Sequence, residues 1–148
     1  MSFAADVNAT AGLAGTLKAG LGALRAVDRT HISVQAPGSL LGSVDVDVAL
    51  EATFPNAARW DYVVGQQKGE YEHLHWIEVH PAEGTRNITE VEAKLAWLAA
   101  WLRHTALAAY RKQVVWVASG RSAFNGRHPR IKGLAAKGLS FAGSHLTI

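Results

Sequence analysis

Hydrophobic and polar positions are arranged most tellingly in two short stretches, residues 60–65 (Trp-Asp-Tyr-Val-Val-Gly) and 75–81 (His-Trp-Ile-Glu-Val-His-Pro). Both read as buried strands, because each is a short apolar run with turn residues nearby. On a strand, side chains alternate between faces, so Leu74, Trp76, Glu78 and His80 share one face and His73, His75, Ile77 and Val79 the other. Asp61 shares a face with Val63 in the same way. An unpartnered carboxylate in such a strand costs several kcal/mol, so it is paired, protonated or metal-bound. Residues 66–70 (Gln-Gln-Lys-Gly-Glu) read as a turn joining two antiparallel neighbours.

The remaining pattern supplies the other elements. Leu13, Leu17, Leu21 and Leu24 recur at helical spacing within residues 8–27, although Gly12, Gly15, Gly20 and Gly22 each weaken a helix by roughly 1 kcal/mol. Residues 31–35 read as a short strand ended by Pro37-Gly38. Residues 43–54 fit either a strand (Val44, Val46, Val48) or a helix capped by Ser43 or Asp45; the helix is favoured by Ala49-Leu50-Glu51-Ala52. Thr89-Glu90-Val91-Glu92 reads as a capping box opening a helix to about Tyr110, with Val91, Leu95, Leu98 and Leu102 as its apolar stripe. Lys94 lies at the edge of that stripe, where its stem can carry the ammonium to a strand end. Residues 114–118 (Val-Val-Trp-Val-Ala) read as a fully buried strand, and a short helix is expected within residues 131–137. The sum is one domain, residues 1–148, of α/β class: a small mixed β-sheet flanked by helices.

Composition narrows the chemistry. With no cysteine, disulfides and thiolate metal sites are excluded. No apolar run approaches the ~20 residues of a membrane span. The opening Met-Ser-Phe-Ala-Ala-Asp has no basic segment, so a signal peptide is not expected and a cytoplasmic location is. The net charge of +3 is uneven. Residues 1–100 hold twelve acids and seven Lys/Arg, a balance of −5, whereas residues 101–148 hold eight Lys/Arg and no acid, a balance of +8. The basic C-terminal tail, with Arg121, Arg127, His128, Arg130, Lys132 and Lys137, either meets an anionic partner such as nucleic acid or pairs with the acids before it.

Asp61, Glu78, His80 and Lys94, with Glu51 ahead of them, form the candidate site. Asp61 and Glu78 on neighbouring strands can hold a hard divalent ion such as Mg²⁺, and His80 or Lys94 can serve a water. This order resembles the PD-(D/E)xK nuclease superfamily over residues 44–118. That superfamily has a restriction-endonuclease-like core of helix, antiparallel strands, helix and strand. The resemblance implies a Mg²⁺-dependent nuclease acting on phosphodiester bonds, with metal ligands Asp61, Glu78 and Glu51 and with His80 and Lys94 completing the catalytic set. His80 stands where the motif has lysine, and Lys94 on the following helix is placed to replace it. Two strands are read between the helices, where the superfamily has three.

Other readings stay open. Glu78 pairing with Lys94, and Asp61 with Arg59 or the tail, would make the set a structural ion-pair cluster in a non-catalytic α/β domain that binds an anionic or protein partner as a homodimer. Gly38-Ser39 followed by Asp45-Val46-Asp47 is similar to the nucleotidyltransferase metal pattern, or is a turn and a helix cap. His73 and His75 share a face as a zinc pair would. The five tryptophans fit a core and show no platform for bases.

Overall fold

The computed structural model describes residues 2–148. Its helices are α1 (Phe3–Ala9), α2 (Ala26–Arg29), α3 (Val46–Leu50), α4 (Thr85–Leu102) and α5 (Pro129–Ala136). The strands are β1 (Ile32–Ser33), β2 (Leu40–Asp45), β3 (Tyr62–Lys68), β4 (Tyr71–His80), β5 (Arg111–Ala118), β6 (Leu139–Phe141) and β7 (Leu146–Thr147). Five strands form one mixed sheet in the order β2-β3-β4-β5-β6. The β2–β3 and β3–β4 pairs are antiparallel, and β4–β5 and β5–β6 are parallel. Strands β1 and β7 make a separate parallel pair. The expected α/β class with a small mixed sheet flanked by helices is what the chain adopts.

The alternation along β4 divides the interior into two cores. Leu74 and Trp76 face the helices and pack with Val63, Val114, Trp116 and the α4 stripe of Ile88, Val91, Leu95 and Leu98. Ile77 faces the other way with Tyr62, Val64, Val115 and Val117, covered by Leu24, Ile32 and Ile148 from the irregular segments. Buried on that second face is a polar chain. Gln113 Nε2 lies 2.7 Å from His75 Nδ1, His75 Nε2 lies 2.8 Å from Gln66 Oε1, and Gln66 Nε2 donates to Ser39 Oγ at 3.1 Å.

Three expectations from the pattern are corrected. Residues 8–27 do not form a helix: α1 ends at Ala9, and turns follow through Gly12, Gly15 and Gly20, whose φ angles of 87°, 77° and 55° stop a right-handed helix. Residues 43–54 begin as the end of β2, and only Val46–Leu50 is helical, with the Asp45 carboxylate accepting from Val48 N–H at 2.9 Å. Two strands, β3 and β4, lie between α3 and α4 as expected, and β2 adds a third antiparallel neighbour ahead of α3. Finally, α4 starts one turn before the expected capping box, where Asn87 Oδ1 accepts from the N–H groups of Glu83 and Gly84. It stops at Leu102, not near Tyr110. No helix among the described residues is long and apolar enough to cross a membrane.

Candidate functional site

Asp61, Glu78, His80 and Lys94 meet at the carboxyl end of β4. Asp61 directly precedes β3, and the register that pairs Tyr62 with Ile77 sets it opposite Glu78. Backbone bonds lock the two acids together. Asp61 N–H donates to Glu78 Oε1 at 3.2 Å, and Val79 N–H donates to Asp61 Oδ2 at 3.0 Å. From the third turn of α4, the Lys94 ammonium donates to Glu78 Oε2 and lies 3.5 Å from Asp61 Oδ1. His80 completes the row, its Nδ1 3.2 Å from Glu78 Oε2 and its Nε2 3.1 Å from Glu90 Oε1. The Trp116 indole N–H donates to the His80 carbonyl at 3.0 Å and so fixes the strand end.

Burial sets the electrostatics. Glu78 is wholly buried and Asp61 is 7% exposed. Burial, reinforced by the Glu78 charge, pushes the Asp61 carboxyl up to about 8, against the pull of Lys94 and the Val79 N–H. Burial thus favours the neutral form of Asp61, while Lys94 favours its charged form. Burial disfavours the Lys94 charge, but Glu78 and Asp61 outweigh it and raise its pKa. Burial also opposes the charge on His80, and the hydrogen bonds to Glu78 and Glu90 overcome it, so its pKa rises too. All four oxygens of the Asp61–Glu78 pair have a partner.

The other anticipated residues lie apart. Glu51 is exposed at the C-terminal cap of α3, and no hydrogen bond or ion pair ties it to the cluster. Arg59 pairs with Asp47 at 2.9 Å and not with Asp61. Asp45 caps α3 while Asp47 serves Arg59, so these two acids have separate structural partners. Both ring nitrogens of His75 are engaged by the two glutamines, which leaves no free nitrogen for a zinc pair with His73. Among the described residues, no group of three or more His, Asp or Glu is placed to hold a metal ion.

The basic tail begins beside the cluster. Ser119 N–H donates to the His80 carbonyl at 3.1 Å and Ala123 N–H to the Ala82 carbonyl at 2.8 Å. Arg130 pairs with Glu92 of α4, whereas Arg121, Arg127, Lys132 and Lys137 are exposed and make no ion pair among the described residues. Phe124 packs against Trp116 and Phe141 and so anchors the loop.

Glu90, an inner position of the expected capping box, has a role that the linear pattern does not show. Its carboxylate holds His80 and accepts from Asn87 Nδ2 at 2.9 Å, and these bonds lower its own pKa. The available signal was the three-residue spacing of Asn87 and Glu90, which places both on one side of the first helical turns. Compared with known proteins, the chain matches no family model, no curated protein and no solved structure.

Proposed function

We propose that this chain is a divergent metal-dependent nuclease-like protein acting on phosphodiester bonds, with its centre at Asp61, Glu78, His80 and Lys94. One observation carries the reading: Asp61 Oδ1 and Glu78 Oε2, from two different strands, converge on a single cation, the Lys94 ammonium. The element order lends support: β2, β3 and β4 are antiparallel neighbours, with α3 inserted between β2 and β3, and α4 and the parallel β5 follow them.

The residues fit Mg²⁺, which needs only one or two carboxylates and completes its shell with water and substrate oxygens. Asp61 and Glu78 would hold it, and the ion would supply positive charge against the phosphate and acidify a water. The chain's own groups do the rest. In the resting chain Lys94 keeps the two carboxylates together. His80 carries its proton between Glu78 and Glu90. Either can provide the cation or proton donor that the superfamily's strand lysine provides. The exposed Arg121, Arg127 and Lys132 would meet phosphates along the backbone.

A second reading rests on a different observation. Every oxygen of the acid pair is already satisfied, and surface cavities of about 290 to 450 Å³ are lined by other residues. A closed, self-neutralised cluster suits a non-catalytic domain that binds an anionic or protein partner or a second copy of itself. Calorimetric titration with MgCl₂ and MnCl₂ separates the two, together with cleavage assays on single- and double-stranded DNA and RNA. The nuclease reading expects heat of binding and cleavage in the wild type, both lost in Asp61→Asn. Neither heat nor cleavage in the wild type would leave the non-catalytic domain.

A further inference from the structure

The second face of the sheet is only half covered. Leu24, Ile32 and Ile148 close its upper part over Tyr62, Val64, Ile77, Val115 and Val117. Toward the β3–β4 turn, the same face carries Lys68, Tyr71, His73 and Arg111. The register puts them side by side: Lys68 pairs with Tyr71 and His73 with Arg111, while Tyr71 and His73 are alternate residues of β4. Lys68 and Arg111 are exposed, Tyr71 is 48% exposed and His73 is half-buried. The patch therefore has two rings on the central strand and a cation on the strand to either side.

Acids lie close by, since Glu70 and Glu72 line one surface cavity together with Tyr71 and Arg111. Neither Lys68 nor Arg111 makes an ion pair among the described residues. Glu72 belongs to the opposite face, where it accepts from Phe3 N–H at 3.3 Å. Glu70 sits in the turn at the rim. The Arg111 guanidinium lies 3.5 Å from the Tyr71 ring centroid, so it covers one face of that ring and holds it in place, while Arg111 as a residue stays exposed. The His73 ring leans on His75 at 4.8 Å, and His75 is itself fixed by Gln66 and Gln113. The platform is thus ordered before any ligand arrives, which lowers the entropy cost of binding.

We propose that this open half-face binds single-stranded nucleic acid, with bases against Tyr71 and His73 and phosphates on Lys68 and Arg111. Rings interleaved with cations on an exposed sheet suit an unpaired strand, whose bases are free to stack. A duplex presents only its backbone to such a surface. The patch lies on the face opposite Glu78 and His80, so the proposal stands without the metal-dependent chemistry assigned to them.

The test is fluorescence anisotropy with labelled twelve-nucleotide single strands of DNA and RNA, and with the matching duplex. The full chain is used in EDTA so that no metal or cleavage enters. Wild type is expected to bind single strands with Kd of about 1–100 µM at low salt, more tightly than the duplex. Lys68→Ala with Arg111→Ala should weaken binding at least tenfold and flatten the salt slope by about 1.4, the share of two phosphate contacts on a single strand. Tyr71→Ala should weaken it about fivefold or more through lost stacking. Arg103→Ala, an exposed cation at the C-terminal cap of α4, should leave single-strand affinity within twofold. Since the substituted residues lie at the surface, unchanged melting temperatures will establish that the variants fold. No binding by the wild type, equal affinity for the duplex, or patch variants that bind as wild type would each overturn the proposal.

Discussion

Lys94→Met is the most direct probe of the charged cluster. Methionine keeps most of the aliphatic stem and removes the ammonium. Glu78 is wholly buried and would lose the one full positive charge that touches it, apart from the charge His80 can carry. Breaking a buried ion pair from one side costs about 3–5 kcal/mol, because the orphaned charge stays behind. Here Glu78 keeps the Asp61 N–H and His80, and the Lys94 side chain is 20% exposed, so its own desolvation is incomplete. These offsets bring the expected loss to about 2–4 kcal/mol. Urea unfolding followed by tryptophan fluorescence at pH 7 should show the midpoint falling by about 1–2 M, taking a slope of about 2 kcal/mol per M. Glu78→Gln in the Lys94→Met background should recover at least about 1.5 kcal/mol, since the buried charge is then gone. A Lys94→Met variant within about 0.5 kcal/mol of wild type, or single losses that simply add in the double variant, would refute this account.

Three further outcomes are expected. Burial and the neighbouring His73 push the His75 pKa down to about 3, so its contribution to stability is present above the unfolded value near 6.5 and is lost as pH falls toward 3. Comparing urea midpoints of wild type and His75→Gln over that window should show a slope of up to about 1.4 kcal/mol per pH unit in the wild type that the variant lacks; parallel curves would contradict it. Asp61 runs the other way: with its pKa raised to about 8, the stability it contributes is present below pH ~4 and is lost as pH rises toward 8. The stability of Asp61→Asn relative to wild type, in EDTA, should therefore climb across that range, and a flat difference would count against the assignment. Gly65→Ala should detach α1, because a Cβ there would stand 2.4 Å from Phe3 Cδ2, an atom of a fully buried ring. A loss of about 1–3 kcal/mol is expected by thermal unfolding, with faster amide exchange in α1; an unchanged melting temperature would argue that the ring finds other space.

What the sequence disclosed follows the physics of each element. The hydrophobic alternation of β3 and β4 and the apolar run of β5 were legible because burial on a sheet face leaves a period of two or a continuous stripe. Asp61, Glu78 and Lys94 were legible as a set, since charged groups on buried elements must find one another. Less visible was β2, where Gly42 and the shared valines allow strand or helix and the pairing partner decides. The leucine spacing of residues 13–24 gave a false helix: Leu13 and Leu24 are buried, but they reach two different cores through glycine turns. Glu90 and the Lys68–Arg111 platform were hidden because both depend on cross-element register, which one chain read linearly does not display.

The polar chain from Gln113 through His75 and Gln66 to Ser39 has a consequence for how the sheet is assembled. A slip of one residue between β3 and β4 is forbidden by the hydrophobic pattern, since it would turn each core side chain outward. A slip of two residues is not, because it returns every side chain to its own face. Such a slip moves His75 away from Gln66 and leaves an imidazole nitrogen and an amide oxygen buried without partners, at about 1–3 kcal/mol each. The apolar residues thus choose the faces, and this string of donors and acceptors chooses among the even registers. It acts as an error check on strand pairing that valine and tryptophan cannot perform.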